Sequence, residues 1–306
     1  MNKTRKQRSP TVLERLEFSA VRAILGCIHL MPYRRRVATL GWVMQHVIAP
    51  VAGYNRRVRE NLELVVPEMP ADQRKAMVGK TANNIGRMLA ELFSPKEFPQ
   101  LAKAFPLTGP GVPAIDAALA EGRPVIFVSG HFGNYDVLRA AIINRGFDVG
   151  ALYRHMNNPL FHEYYVNNIS AVGTPLFERG RSGFGKMLRH LKKGGALAAL
   201  IDVRAGEGVP LTFFGKRVWT ALGMAELAVR YDALFVPCFA VRQEDGLSFE
   251  ARIEEPIPLS DPAQMTQEYN DILEAYVREN MEQWFWFHRR WKDRKNEPEP
   301  AEIPSD

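Results

Sequence analysis

Pro124-Val-Ile-Phe-Val-Ser-Gly-His131-Phe-Gly-Asn-Tyr-Asp136 joins an apolar run to a turn and sets a histidine and a carboxylate five positions apart just after it. Residues 125–128 are β-branched and aromatic, too few for a helix, and closed by Ser129-Gly130, so they read as a buried strand feeding a turn. On one continuous helix, residues five apart point roughly 140° away from each other. His131 and Asp136 can therefore meet only if at least one lies off the helix. Gly130 and Gly133 permit the backbone that puts His131 in the turn and Asp136 in the first turns of the next helix. There the carboxylate would hold one imidazole nitrogen and leave the other free to take a proton from a hydroxyl.

Outward from this stretch, strand and helix signals alternate as in an α/β fold, here a central mixed sheet flanked by helices. Strands are predicted at 124–128, 147–153, 196–201 and 234–241, with helices near 134–145, 158–171, 183–193 and 221–231. Glu244-Asp245-Gly246 predicts a turn into a further strand near 247–253, and residues 264–288 read as a long final helix. Upstream, residues 11–93 are helical in pattern, with breaks at Pro32, Pro50 and Pro67-Glu-Met-Pro70, and residues 94–113 read as a Pro- and Gly-rich connector. A disordered basic arm (1–10) and an acidic tail (295–306) flank this material. The α/β part (94–294) is continuous with the helical region as one unit, for which 306 residues, 46% of them hydrophobic, supply ample core.

The charge is unevenly placed. Residues 1–60 hold twelve Lys and Arg against Glu14, Glu17 and Glu60, a net of +9 within a chain of net +6, so the other 246 residues net −3. Such asymmetry points to an anionic partner, and the apolar stretches 25–31 and 37–54 between the basic clusters favour a membrane surface over nucleic acid. Aromatic and glycine-rich RNA-binding signatures are absent, which weighs against nucleic acid, and no nucleic-acid partner is expected. Residues 37–54 lack Asp, Glu, Lys and Arg but contain Thr39, Gln45, His46 and Pro50, so a docked, in-plane helix is expected rather than a span. Charged residues interrupt the first apolar run, and no secretory signal peptide is expected. Two distant cysteines, Cys27 and Cys238, suggest a reducing compartment and read as buried, small apolar residues.

The His-x4-Asp pattern resembles the signature of the glycerolipid and lysophospholipid acyltransferase superfamily, and Gly-His-Phe-Gly-Asn-Tyr-Asp resembles its lipid A lauroyl/myristoyl acyltransferase branch, where the acid is more often Glu. Four later segments fit the same branch. Tyr153-Arg154-His155-Met-Asn157-Asn158-Pro159 is similar to its Tyr-Arg-Pro…Asn-Pro segment, with His155 in place of Pro. Phe177-Glu178-Arg179, followed by residues 188–195, resembles its Arg-bearing loop and helix. Ile201-Asp202 with residues 208–215 resembles its Asp-Gln…Gly-Val…Phe-Phe-Gly block, with Val203 in place of Gln. Residues 282–292, Glu-Gln-Trp-Phe-Trp-Phe-His-Arg-Arg-Trp-Lys, match its C-terminal Trp-x-His-Arg-Arg signature. The resemblance implies a sheet flanked by helices, a groove for the acyl chain, an acyl carrier protein as donor, a lipid acceptor, and the cytoplasmic face of the bacterial inner membrane, held peripherally or monotopically.

The residues fit that chemistry. Acyl transfer from a thioester to a hydroxyl needs a base and donors for the tetrahedral oxyanion, and the thiolate leaves without a covalent enzyme intermediate. His131 and Asp136 are the expected catalytic pair. Arg154 and Arg179 suit phosphate or carboxylate recognition, Asp202 the orientation of an arginine or the acceptor, and Asn134 is taken with them as substrate-binding. The aromatic run 284–291 is read as packing on a helix. No cofactor and no metal are expected. Competing readings are an acyltransferase for a lysophospholipid or lyso-aminolipid (ornithine, glutamine or sulfur-containing), a noncatalytic membrane-docking protein, and a metal hydrolase on His131, Asp136, His155 and His162, whose spacing matches no compact zinc motif.

Overall fold

The computed structural model describes residues 9–206 and 208–292. The acidic tail and, apart from Ser9 and Pro10, the basic arm lie outside the described residues. Pro32 and the Pro67–Pro70 stretch separate helices as expected, whereas Pro50 lies within a helical turn and the break falls at Gly53. Helix α1 (Val12–His29) opens on a capping box between Thr11 and Glu14. α2 (Tyr33–Val43) runs through a π-helical turn, Met44–Ile48, into the short α3 (Ala49–Val51), and Gly53 at φ +71° turns the chain into α4 (Tyr54–Val65). α5 (Ala71–Leu92) packs so closely on α2 that a Cβ at Gly86 would overlap the Leu40 carbonyl. The expected connector is more ordered than its composition suggests: it holds α6 (Phe98–Ala104), β1 (Leu107–Thr108) and the start of α7 (Val112–Glu121).

The alternating part follows as β2 (Val125–Ser129), α8 (Tyr135–Asn144), β3 (Val149–Tyr153), α9 (Pro159–Val172), β4 (Leu176–Glu178), α10 (Arg181–Leu191) and β5 (Ala196–Leu200). A β6–β7 hairpin (Val209–Phe213, Lys216–Thr220) precedes α11 (Gly223–Tyr231), β8 (Leu234–Arg242), β9 (Phe249–Ile253) and α12 (Pro262–Glu279). The sheet order is β1-β9-β8-β2-β5-β3-β4; β8, β2, β5, β3 and β4 run parallel, and β9 returns antiparallel to β8. The sheet is therefore mixed, with helices on both faces. Every residue of β2 is buried, and its side chains divide by parity. Ile126 and Val128 enter the core shared with α4, α5, α11 and α12, while Val125 and Phe127 enter the core shared with α6, α7 and α8.

Two expectations are corrected. Cys238 is buried in β8, but Cys27 is exposed on α1. The final helix stops at Glu279 instead of running to 288, and after a 3-10 turn (Met281–Gln283) the aromatic run leaves helical geometry. Trp284, fully buried, is extended and pairs with Phe132 in an antiparallel bridge, and the chain then continues in tight turns, with Trp286 N–H donating to the Trp284 carbonyl at 3.0 Å, that seat the fully buried Trp286 in the same core. A helix could not offer every one of these rings a buried seat at once. Among the described residues, no helix is long and apolar enough to cross a membrane.

Candidate active site

Parallel pairing of β2 with β5 sets Ser129 beside Leu200, and Ile201 N–H donates to the Ser129 carbonyl at 3.0 Å. Two residues beyond that pair, the chains carry His131 and Asp202, side by side at the carboxyl end of the sheet. Asp202, fully buried, is the carboxylate that holds His131. Its Oδ1 accepts from the imidazole Nδ1 at 2.8 Å, while Oδ2 accepts from the His131 backbone N–H at 2.8 Å and from Trp284 Nε1 at 2.9 Å. Because an ionised carboxylate only accepts, Nδ1 carries the proton and Nε2 presents a lone pair. Burial works to raise the Asp202 pKa, but the nearby His131 and its hydrogen bonds more than offset this and hold it well below the ordinary carboxylate value.

The turn that carries His131 is fixed from three sides. A Cβ at Gly130 would come within 3.1 Å of the Asp202 carboxylate, and Gly133, at φ +54°, could not carry one without overlapping the Ala240 carbonyl. Gly133 N–H donates to the Gln283 carbonyl at 2.9 Å, and Phe285 N–H donates to the His131 carbonyl at 2.8 Å. Beneath it, Asn134 caps α8 by accepting from Asp136 N–H and donates from its amide to Glu91 at 2.8 Å. Glu91, fully buried, is also held by Arg242, whose guanidinium donates to it at 2.8 Å and to Asn84 at 2.7 Å.

This geometry corrects the pairing expected for Asp136. It lies in the first turn of α8, as the spacing implied, but faces Arg139 one turn on, which donates to it from Nε at 3.2 Å. Arg139 also donates to the Gly173 and Ile169 carbonyls, so the buried Asp136–Arg139 pair ties α8 to the carboxyl end of α9. Asn134, expected at the substrate, is buried in the scaffold. Arg154 and Arg179 are exposed just beyond β3 and β4, on the same end of the sheet as His131, about two and three strand spacings from β2, roughly 10 and 15 Å. The set suggested for a metal hydrolase is divided: His155 and His162 stand together with Glu178, while His131 pairs with Asp202 and Asp136 with Arg139.

His288, read beforehand only as part of a packing run, adjoins His131 with ring centroids 4.6 Å apart and planes at 77°. Burial first, and then His131, push its pKa down to about 4, so it is neutral at pH 7. Its buried Nε2 has no hydrogen-bond partner among the described residues. The neighbouring Arg290 is structural, donating to the Val203 and Trp219 carbonyls and to Thr220 Oγ1. Beside the turn that carries His131 an apolar cavity runs between the sheet, α8 and α9. Ser129, Tyr135, Asp136 and Arg139 stand among its lining, Leu138, Ile142, Leu152 and Ile169 form its walls, and Tyr135 makes an edge contact with His131. A second, basic depression is lined by Arg56, Arg57, Asn61, Arg289 and Lys292; Arg57 and Asn61 donate to the backbone at 286–288.

Comparison with known proteins gives this arrangement its context. Residues 3–293 match the model of the bacterial lipid A biosynthesis acyltransferase family. A lipid A biosynthesis lauroyltransferase of Escherichia coli is 27% identical, with 81% of this chain and 80% of that protein covered. A lipid A biosynthesis acyltransferase of Haemophilus influenzae is 24% identical, covering 78% and 76%. A phosphatidylinositol mannoside acyltransferase of Mycobacterium tuberculosis is 21% identical, covering 83% and 82%. With its model matched over nearly the whole length, the chain belongs to the bacterial lipid A biosynthesis acyltransferase family and is an acyl-transferring enzyme.

Proposed function

We propose that this acyltransferase moves a fatty acyl chain from an acyl carrier protein thioester to a hydroxyl of a lipid A-type acceptor, with His131 as general base and Asp202 as the group that orients it. The observation that carries the reading is the 2.8 Å contact between Nδ1 of a partly exposed imidazole and a fully buried carboxylate, which leaves Nε2 free on a ring that touches Tyr135 of the apolar cavity's lining. The acceptor hydroxyl gives its proton to Nε2 as its oxygen attacks the thioester carbonyl. His288, neutral and with an unpartnered Nε2, is placed to donate to the oxyanion that develops. When the intermediate collapses the C–S bond breaks, and the imidazolium returns its proton to the departing thiolate. Asp202 stays ionised throughout and stabilises the charged imidazole.

The cavity between the sheet, α8 and α9 suits the acyl chain, being walled by aliphatic side chains. The basic depression around Arg56, Arg57, Arg289 and Lys292 suits the phosphate of the donor's prosthetic arm and its acidic carrier. The N-terminal helices support docking on an anionic inner-membrane surface: Leu13, Leu16 and Ile24 on α1, with Trp42 and Val51, are exposed among Arg15, Arg34 and Arg35.

Mass spectrometry of lipid extracts from cells with and without the protein tests the acceptor. Loss is expected to accumulate a lipid A precursor one acyl chain short; accumulation of a lyso-phospholipid or lyso-aminolipid instead would move the acceptor to that class. In vitro, His131→Ala is expected to lower transfer at least about 10²-fold with folding intact. Near-normal turnover in that variant would exclude the base.

A further inference from the structure

We infer that the loop after β3, the first turn of α9 and the end of β4 form a binding site for a divalent transition metal, of which Zn²⁺ is the best match, held by His155, His162 and Glu178. The inference does not rest on the acyl-transfer reading. β3 and β4 pair in register with Tyr153 opposite Glu178, so the carboxylate projects beside the chain that continues to His155. Asn158 caps α9 and fixes its first turn, where His162 N–H donates to the Asn158 carbonyl at 2.9 Å. His162 stacks on Tyr153, with centroids 5.9 Å apart, and lies against His155 with centroids 4.0 Å apart and planes tilted by 30°. His155 Nδ1 is 2.9 Å from Glu178 Oε1, and one ligand atom from each of the three residues lies within 4.8 Å of the others.

A hydrogen bond between His155 and Glu178 uses one proton and leaves the second imidazole unexplained. Among the described residues, His162 Nδ1 makes only a long contact, accepting from Met156 N–H at 3.4 Å. A single cation would serve all three donors. Two imidazoles and one carboxylate are a zinc-type set, whereas calcium and magnesium favour all-oxygen shells. Tetrahedral zinc with bonds of about 2.0–2.2 Å sets its ligands about 3.3–3.5 Å apart, so the 2.9 Å pair would open slightly and the wider gaps close. Half-exposed His155 and Glu178 leave room for such rotamer changes and a fourth position for water or an anion. A bound cation would also add positive charge beside Arg154 and Arg179.

Titrating ZnCl₂ into the purified, EDTA-treated full chain by calorimetry tests the site. One saturable equivalent is expected, weakened at least about a hundredfold by His155→Ala or by Glu178→Gln, with circular dichroism melts reporting that each variant is folded. Binding is expected to persist in His131→Ala, which separates the site from the imidazoles of the reaction centre. Absence of saturable binding to the wild-type chain would overturn the inference, as would binding that survives both His155→Ala and Glu178→Gln.

Discussion

Asp202 and Asp136 differ by partner more than by chemistry. Asp202 holds the imidazole, Asp136 a guanidinium, and substitution with Asn separates these roles. Asp202→Asn keeps the shape but no longer fixes the tautomer, and kcat is expected to fall by about 10²–10⁴-fold. Asp136→Asn leaves Arg139 buried and uncompensated, so its main effect is expected on stability, about 3–5 kcal/mol. Denaturant midpoints and initial rates measured on both variants decide; a deeper loss of turnover in a well-folded Asp136→Asn would return that residue to the reaction. His288 adds a pH signature. Its folded pKa, about 4, lies below the ordinary histidine value near 6.5, so between these limits the unfolded chain binds the extra proton and stability falls as pH falls. The loss is expected to approach about 3 kcal/mol by pH 4 and to be absent above pH 7. His288→Gln should flatten that slope, as urea unfolding at pH 7, 5.5 and 4.5 would report.

At the scale of elements, the turn between β2 and α8 rests on a buried polar frame rather than on apolar packing alone. Glu91 joins Arg242 of β8 to Asn134 of α8, and Gln283 exchanges hydrogen bonds with the Arg242 backbone. Glu91→Gln keeps the shape but leaves Arg242 without its counter-ion, and is expected to cost about 3–5 kcal/mol. Chemical denaturation gives that number directly, and a change below about 1 kcal/mol would show the frame to be dispensable. Most of these elements were legible in the sequence, since short apolar runs and glycine or proline breaks fall near the ends of β2, β3, β5, β8 and β9, and helical pattern with proline breaks marks the N-terminal helices. The three-residue β4 and the β6–β7 hairpin were not, because short half-exposed strands carry little apolar pattern. The aromatic run 284–291 misled for the opposite reason: so many apolar rings satisfy any period, and only their seat against residues 131–133 selects a bridge at Trp284 followed by turns. Spacing placed His131 and Asp136 correctly on the backbone. Strand order, which links β2 to β5 across about seventy residues, decides which carboxylate reaches the imidazole, and it is not written in any local window.

Across the whole molecule, one side of the N-terminal helical layer remains apolar and basic together. Val12, Leu16 and Leu30 are more than half exposed, and the charge of residues 1–60 is net +9. Sedimentation with phosphatidylglycerol vesicles is expected at low salt and to weaken toward 0.5 M salt as charges are screened within a Debye length of about 4–5 Å. The double substitution Leu16→Glu with Ile24→Glu is expected to abolish it while leaving the melting temperature within a few degrees, since neither side chain is buried. Sedimentation unchanged by that pair would place the docking face elsewhere.

The strap from Gln283 to Phe285 binds the histidine turn and Asp202 alike, so the reacting groups are assembled only after both sheet and strap exist. During synthesis Asp202 leaves the ribosome 82 residues before Trp284, a lag of roughly 4–16 s at about 5–20 residues per second. For that interval the nascent protein can already present its exposed N-terminal helices to a surface, yet it lacks the indole that anchors the buried carboxylate. On the proposed reading, docking precedes competence, and a product that ends before Trp284 is expected to be chemically silent, which an acyl-transfer assay on such a truncation checks.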